Sequence, residues 1–143
     1  MNEASKPLQV YVVEDSPIAQ RFLGSAIAAM GAELDGCSDD AQAAIADVFA
    51  LQPDLILIDI SLASGSGFDV LQALQEHSLV PEAMKVVLTN HANAECRDLS
   101  LRLGADRFFD KAETAQALAL ISTLATERRI AAFRNRSSAP LRH

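Results

Sequence analysis

Cysteine is nearly absent from this chain. Cys37 and Cys96 are the only two, and they lie far apart without a CxxC pattern. That argues against a disulfide framework and against a thiolate zinc site, so free thiols are expected, with Cys37 on a strand or strand edge and neither given a function. Long apolar runs are missing as well. Nothing approaches the roughly 20 residues of a membrane span, and the polar start from Met1 to Pro7 has no signal-like stretch behind it. A soluble, cytoplasmic protein is the expectation. With 143 residues there is no room for a second domain of ordinary size, but enough for one core.

Positive charge is scarce except at one end. Residues 127–143 hold five arginines and one glutamate, which leaves a net charge of −11 on residues 1–126. An acidic body argues against direct nucleic-acid contact. The expected organisation is a globular unit over 1–126, its core at about 8–126, followed by a basic extension over 127–143 that is too short for a helix-turn-helix or any other output domain. The extension reads plainly as a prolonged helix with a solvated end. Its sharper reading is a docking segment for an acidic partner or for the chain's own acidic body.

Strand-like runs alternate with helix-periodic stretches. Leu8 to Val13 is a strand, and Ile18, Phe22, Ala26 and Met30 then recur at helical spacing behind Ser16-Pro17, an N-cap followed by proline at the first helical position. Glu33 to Cys37 is a weaker strand, with Ser38 or Asp39 as cap for a helix whose apolar face is Ala41, Ala44, Ile45 and Val48. Leu55 to Ile58 is a third strand, followed by a Gly/Ser loop and a helix with Val70, Leu71 and Leu74 inward. Met84 to Leu88 is a fourth strand, ending in Thr89. The short helix after it carries Cys96, Leu99 and Leu103 and stops at Gly104. Arg107 to Phe109 is a brief fifth strand. The last helix, marked by Ala117, Leu118, Ile121, Leu124 and Ala125, runs to about Phe133.

Five β-α repeats predict an α/β fold, a mainly parallel sheet with helices on both faces and right-handed crossovers. Sites in such sheets lie beyond the carboxyl ends of the strands. Strand one ends in Glu14-Asp15, strand three in Asp59, strand four in Thr89 and strand five in Asp110-Lys111. A strand-end acid alone is most often a cap or a solvated loop residue, but this is a convergence of acids, a hydroxyl and an amine on one edge. Gathered carboxylates repel by about 1 kcal/mol per pair in water and about 4 near a protein surface, so they need a cation or proton. Oxygen donors without nearby histidine or thiolate favour Mg²⁺ over zinc. A carboxylate held beside such an ion can act as a nucleophile on a phosphoryl group, with an amine to neutralise its oxygens. Asp59 is the central candidate, Lys111 the amine and Thr89 the hydroxyl.

These residues resemble the receiver domain of two-component response regulators, over about residues 8 to 126. "VYVVEDSPIAQ" is similar to that family's acidic pair after strand one, "LILIDI" to its phospho-acceptor strand, "VVLTN" to its strand-four hydroxyl and "RFFDKAE" to its strand-five lysine; Gly67 falls where the family has a glycine. The resemblance implies a flavodoxin-like (βα)5 sheet in strand order 2-1-3-4-5. It implies that Asp59 accepts a phosphoryl group from a phosphohistidine on a sensor histidine kinase or histidine phosphotransfer protein. Asp15, Asp59 and the backbone carbonyl of Ser61 would then bind Mg²⁺, Glu14 would act through water, and Lys111 would pair with phosphoryl oxygens. Thr89 would move to the phosphoryl group and Phe108 would rotate inward, reshaping the face made by helix four, strand five and helix five for a downstream partner that the sequence does not identify. Homodimer formation is left open.

The chain departs from the family pattern at three places. Ala63 stands where proline is usual, which removes a fixed φ and implies a more mobile loop. Ala112 stands where a proline, often cis, is common, and without proline a trans bond is expected. Asn90 replaces a small residue. The resemblance implies that Ser61 and His91, each two residues past a motif residue, tune phosphoryl lifetime, against a plain reading as solvated loop residues. Phe108 and Phe109 are adjacent on a strand, so one is expected to face the core and the other not, with Phe109 the more permanent core residue. The chain is expected to be no enzyme beyond its own phosphorylation and dephosphorylation. One rival is a constitutive interaction module without phosphoryl turnover. Another is a haloacid-dehalogenase-like phosphatase, which needs a second acid where Ser61 stands.

Overall fold

The computed structural model describes residues 6–77 and 83–137. The polar start before Lys6 and the tail beyond Ser137, including Arg142, lie outside the described residues. Five strands, β1 (Gln9–Val13), β2 (Glu33–Ser38), β3 (Leu55–Ile58), β4 (Met84–Thr89) and β5 (Arg107–Asp110), alternate with five helices, α1 (Pro17–Ala29), α2 (Ala41–Leu51), α3 (Gly67–His77), α4 (Ala94–Arg102) and α5 (Thr114–Ser137). All pairings are parallel and the order is β2-β1-β3-β4-β5. This is the flavodoxin-like topology expected from the sequence. Among the described residues no helix is long and apolar enough to cross a membrane.

The apolar run Leu55 to Ile58 makes sense in this order, because β3 is the middle strand and is covered on both faces. Alternate residues supply two separate cores. Tyr11, Val13, Ile56, Ile58 and Val87 pack against α2, α3 and α4, while Val10, Val12, Leu55, Leu57, Val86 and Leu88 pack against α1 and α5. The same parity governs β5. Phe108 packs against the first core and Phe109 against the second, each partly buried. The expectation that only one of them faces a core is therefore corrected: in a doubly covered sheet both sides of a strand are interior.

Two other sequence expectations change. Helix α1 turns Leu23 and Ile27 inward together with Ala26 and Met30, while Ile18 and Phe22, the first half of the expected set, are 73% and 57% exposed. The inward stripe is thus Leu23, Ala26, Ile27 and Met30, at i, i+3, i+4, i+7 spacing, which the expected set meets only in its second half. The cap of α2 is Asp40, whose carboxylate accepts from the Ala43 amide at 2.7 Å, and not Ser38 or Asp39. Ser38 closes the end of β2 instead. The Ser16-Pro17 start of α1 is as expected, with Ser16 Oγ accepting from the Ala19 amide. Gly104, at φ +100°, ends α4, as its backbone freedom allows. Both cysteines are free, Cys37 exposed on β2 and Cys96 on the buried face of α4.

Gly67 opens α3 directly beneath the loop that follows β3. Its amide donates to the Ile60 carbonyl at 2.9 Å, and a Cβ there would overlap the Asp59 carbonyl oxygen and approach Ile58 Cγ2 at 2.9 Å. The position thus permits the close approach that fixes the Asp59 loop. Gly67→Ala is expected to destabilise the protein by about 2 kcal/mol or more, as overpacking at a rigid site does, measured by urea denaturation.

Candidate functional site

The parallel register brings the strand ends together. Val13 lies opposite Ile58, and the Asp59 amide donates to the Val13 carbonyl at 2.8 Å, so Glu14 and Asp15 follow β1 at the level where Asp59 follows β3. Thr89 lies opposite Asp110, which sets Lys111 just past the end of β5. Glu14 and Asp59 are 2% and 5% exposed, Asp15 is exposed, and Thr89 is fully buried.

Lys111 joins the acids. Its ammonium lies 2.7 Å from Glu14 Oε1 and 2.8 Å from Asp59 Oδ2. Burial opposes its charge, but the hydrogen bonds to Asp59 and Glu14 outweigh that opposition and hold its pKa above the ordinary lysine value. Burial pushes the Glu14 carboxyl up from its usual range, only partly countered by hydrogen bonds from Lys111 and the Ser16 amide, and the Asp59 charge adds to the rise. Glu14 is held in place by the Ser16 amide at 2.9 Å, and its carbonyl accepts from Gln20 Nε2 at 2.6 Å. Asp59 Oδ1 accepts from the Ser61 amide at 3.3 Å.

One oxygen each from Glu14, Asp15 and Asp59 lie within 4.8 Å of one another. This donor set is all carboxylate, with no sulfur or imidazole, and it suits a hard divalent cation such as Mg²⁺. Asp110 does not join it. That residue caps the short 3-10 turn Lys111–Glu113, accepting from the Ala112 amide at 2.9 Å while Glu113 accepts from the Asp110 amide at 3.0 Å. This capping box aims Lys111 inward. Thr114 adds a hydroxyl hydrogen bond to the Lys111 carbonyl at 2.6 Å. Sequence reasoning missed Thr114, Glu113 and Gln20; the Asp110-x-x-Glu113 spacing of a capping box marks Glu113, while nothing in the spacing of Thr114 and Gln20 marks them until the strands are placed.

The two alanines in place of proline use the donors that proline lacks. The Ala63 amide donates to the Asp39 carbonyl at 3.1 Å, and with the Ala41 amide on the Ser64 carbonyl at 2.9 Å it ties the loop after β3 to the start of α2. The expected loosening of that loop is thus offset by hydrogen bonds. The Ala112 amide serves the Asp110 cap, and among the described residues no peptide is cis. Ser61, Asn90 and His91 are exposed at the rim, the His91 amide donating to Thr89 Oγ1 at 3.1 Å. Phe108 and Thr89 point to the same face of neighbouring strands, and the Arg97 guanidinium sits 5.9 Å from the Phe108 ring centre. On the opposite side of Lys111 a cavity of about 330 Å³ opens between α1 and α5, lined by Phe22, Leu23, Leu88, Ala115 and Leu118.

A family model described as the response regulator receiver domain matches residues 10–122. Among curated proteins, the chain is 33% identical over 132 residues to a protein-glutamate methylesterase/protein-glutamine glutaminase of Vibrio vulnificus, covering 90% of this chain and 38% of that protein. It is 31% identical over 110 residues to a gliding motility regulatory protein of Myxococcus xanthus, covering 77% and 14%. The chain thus spans well under half the length of these relatives. A CheY-like receiver domain structure from Methanospirillum hungatei superposes with a TM-score of 0.74 at 23% identity, covering 86% of this chain and 97% of that one. The response regulator domain of Thermotoga maritima CheB superposes at 0.70 and 21% identity, covering 89% and 97%.

Without a cation, Asp15 adds only repulsion to the cluster. Asp15→Asn is expected to stabilise the metal-free protein by about 1 kcal/mol or less while abolishing the rise in Tm that Mg²⁺ produces, read by thermal melts with EDTA or Mg²⁺. A second expectation concerns pH. Because the folded-state pKa of Glu14 lies above its ordinary 4.5, the native state takes up that proton first. Its contribution to stability therefore grows as pH falls through the raised value and levels off at 4.5. Glu14→Gln is expected to remove that component from the pH dependence of urea melts run in EDTA.

Proposed function

The chain belongs to the response regulator receiver domain family, and on that footing we propose that it is a phosphorylation-controlled switch in which Asp59 takes a phosphoryl group from phosphohistidine. The observation that carries this reading is the Lys111 ammonium held 2.8 Å from Asp59 inside the carboxylate cluster. An Asp59 oxygen attacks phosphorus, the O–P bond forms as the N–P bond breaks, and the electron pair leaves with the donor imidazole, which then takes up a proton. Lys111 follows the charge from the carboxylate to the phosphoryl oxygens. Asp15 and Asp59, with the Ser61 carbonyl and Glu14 through water, would hold Mg²⁺, which when bound neutralises charge on the same oxygens. Attack of water on the aspartyl phosphate returns the resting state. Ser61 and His91, both exposed at the rim, set how readily that water enters.

The output is a change on the face formed by α4, β5 and α5. Thr89 is buried one strand away from Asp59 on the side of the sheet that also carries Phe108. Drawing its hydroxyl to the phosphoryl group vacates space for Phe108 to turn inward, away from Arg97, and a downstream protein reads the altered surface. The phosphodonor is a sensor histidine kinase or histidine phosphotransfer protein. The exposed Ile18 and Phe22, beside the apolar cavity that ends at Lys111, offer such a donor a footing next to Asp59.

With Mg²⁺ and beryllofluoride, amide NMR shifts are expected at Thr89 and Phe108 in the native protein and not in Asp59→Asn; no change, or the same change in both, sinks the switch. Rapid turnover of several phosphomonoesters would instead point to a phosphatase. Phe22→Ala is expected to slow transfer from a phosphohistidine protein by about tenfold, and to affect acetyl phosphate far less, followed by radiolabel incorporation.

A further inference from the structure

Two ion pairs tie the α5 side of the sheet to the residues that flank β3: Lys111, just before α5, to Asp59, and Arg128 of α5 to Asp54. At the site, Lys111 holds Asp59 at 2.8 Å, and Thr114, the first residue of α5, donates its hydroxyl to the Lys111 carbonyl at 2.6 Å. At the opposite edge of the sheet, Arg128 Nη2 lies 2.7 Å from Asp54 Oδ1, and Nη1 reaches the Lys6 carbonyl at 3.5 Å. Asp54 and Asp59 flank the same strand, about 17 Å apart along it. Thr114 and Arg128 are separated by about 21 Å of helix. Strand, helix and the two pairs close a ring.

Asp54 is a firm anchor for that ring. Its Oδ2 accepts from the Gln9 amide at 2.8 Å, its own amide donates to the Gln9 carbonyl at 2.9 Å, and its carbonyl accepts from the Met84 amide at 2.9 Å. It is thereby tied to β1 and β4 as well as to β3. Side-chain exposures of 22% for Arg128 and 30% for Asp54 keep the pair from full solvent screening. The buried stripe of α5 mixes Leu118 and Ile121 with the small Ala117, Ala125 and Ala132. Leu120 and Leu124 pack partly against the same core, and the Arg128–Asp54 pair adds a directional restraint to that packing.

We propose that the Arg128–Asp54 pair is a clasp that holds α5 in its resting place and opposes the displacement that a phosphoryl group on Asp59 imposes, an inference that rests on the phosphoryl-transfer reading above. A phosphoryl group must come between the Asp59 carboxylate and the Lys111 ammonium. Lys111 then yields, and through its carbonyl so does Thr114. The helix transmits that push to Arg128, where the clasp resists it. By reciprocity, an acidic surface that draws Arg128 away from Asp54 favours the phosphorylated arrangement. The basic extension of α5 thereby becomes a control point for the site at the other edge of the sheet.

The test uses the full chain as wild type, Arg128→Gln and Arg128→Lys, each checked for folding by thermal melt. Amide hydrogen exchange without ligand is expected to quicken in Arg128→Gln over residues 112–118, at the far end of α5 from the substitution. Titration with beryllofluoride in Mg²⁺ is expected to show two- to fivefold tighter binding by Arg128→Gln, with Arg128→Lys in between. Fivefold corresponds to about 1 kcal/mol at 1.4 kcal/mol per decade, the upper end for a partly exposed ion pair. Exchange that quickens only near residue 128, or beryllofluoride binding that is unchanged or weaker, overturns the clasp. If the wild type ignores beryllofluoride, the phosphoryl-transfer reading fails and the clasp falls with it, whereas a wild type that responds beside an Arg128→Gln that binds no tighter overturns the clasp alone.

Discussion

One ammonium group makes the carboxyl edge of this sheet tenable. Glu14, Asp15 and Asp59 crowd their oxygens into a space under 5 Å across, and two of the three side chains are buried. Carboxylates so placed repel, and burial alone pushes Glu14 toward its protonated form. Lys111 counters both effects by binding Glu14 and Asp59 at once. It does so from beyond β5, two strand spacings or roughly 10 Å from β3, with β4 in between. The long lysine stem and the small Thr89 at the end of β4 fit that span.

The rest of the fold serves the placement of these few groups. The doubly covered β3 cannot tilt without breaking two cores, so Asp59 has a fixed position rather than a mobile one. The loop after β3 is pinned by Gly67 below and by the amides of Ala63 and Ala41 at its side. The turn carrying Lys111 is set by the Asp110 and Glu113 capping box and by Thr114. Such a site stores unfavourable electrostatics on a rigid frame, and a divalent cation at the carboxylates can relieve them. Stability is given up where chemistry needs charge.

Much of this was readable from residue order. The alternation of apolar runs and helical periods predicted the five β-α units, and the strand ends named Asp15, Asp59, Thr89 and Lys111. Helix α1 was legible only in part: Ala26 and Met30 pack inward beside Leu23 and Ile27, but Ile18 and Phe22 do not, and periodicity alone could not say where the inward face begins. The phenylalanines of β5 were misjudged because period-two alternation does not reveal whether one face of a strand is covered or both. Asp110 looked like a further strand-end acid, yet its side chain turns to the local backbone, as a short acid before a helical turn readily does.

By itself, then, the order of residues determined the β-α rhythm, the apolar character of the third strand and the types of group delivered to its end, since these follow from periodicity and from local backbone chemistry. Which of those groups meet was decided only by the tertiary structure, because register and strand order bring β1, β3 and β5 to one edge across many tens of residues. The same holds for Arg128 and Asp54, 74 residues apart, whose contact no local pattern encodes and which exists because a helix and a strand lie side by side in a finished sheet.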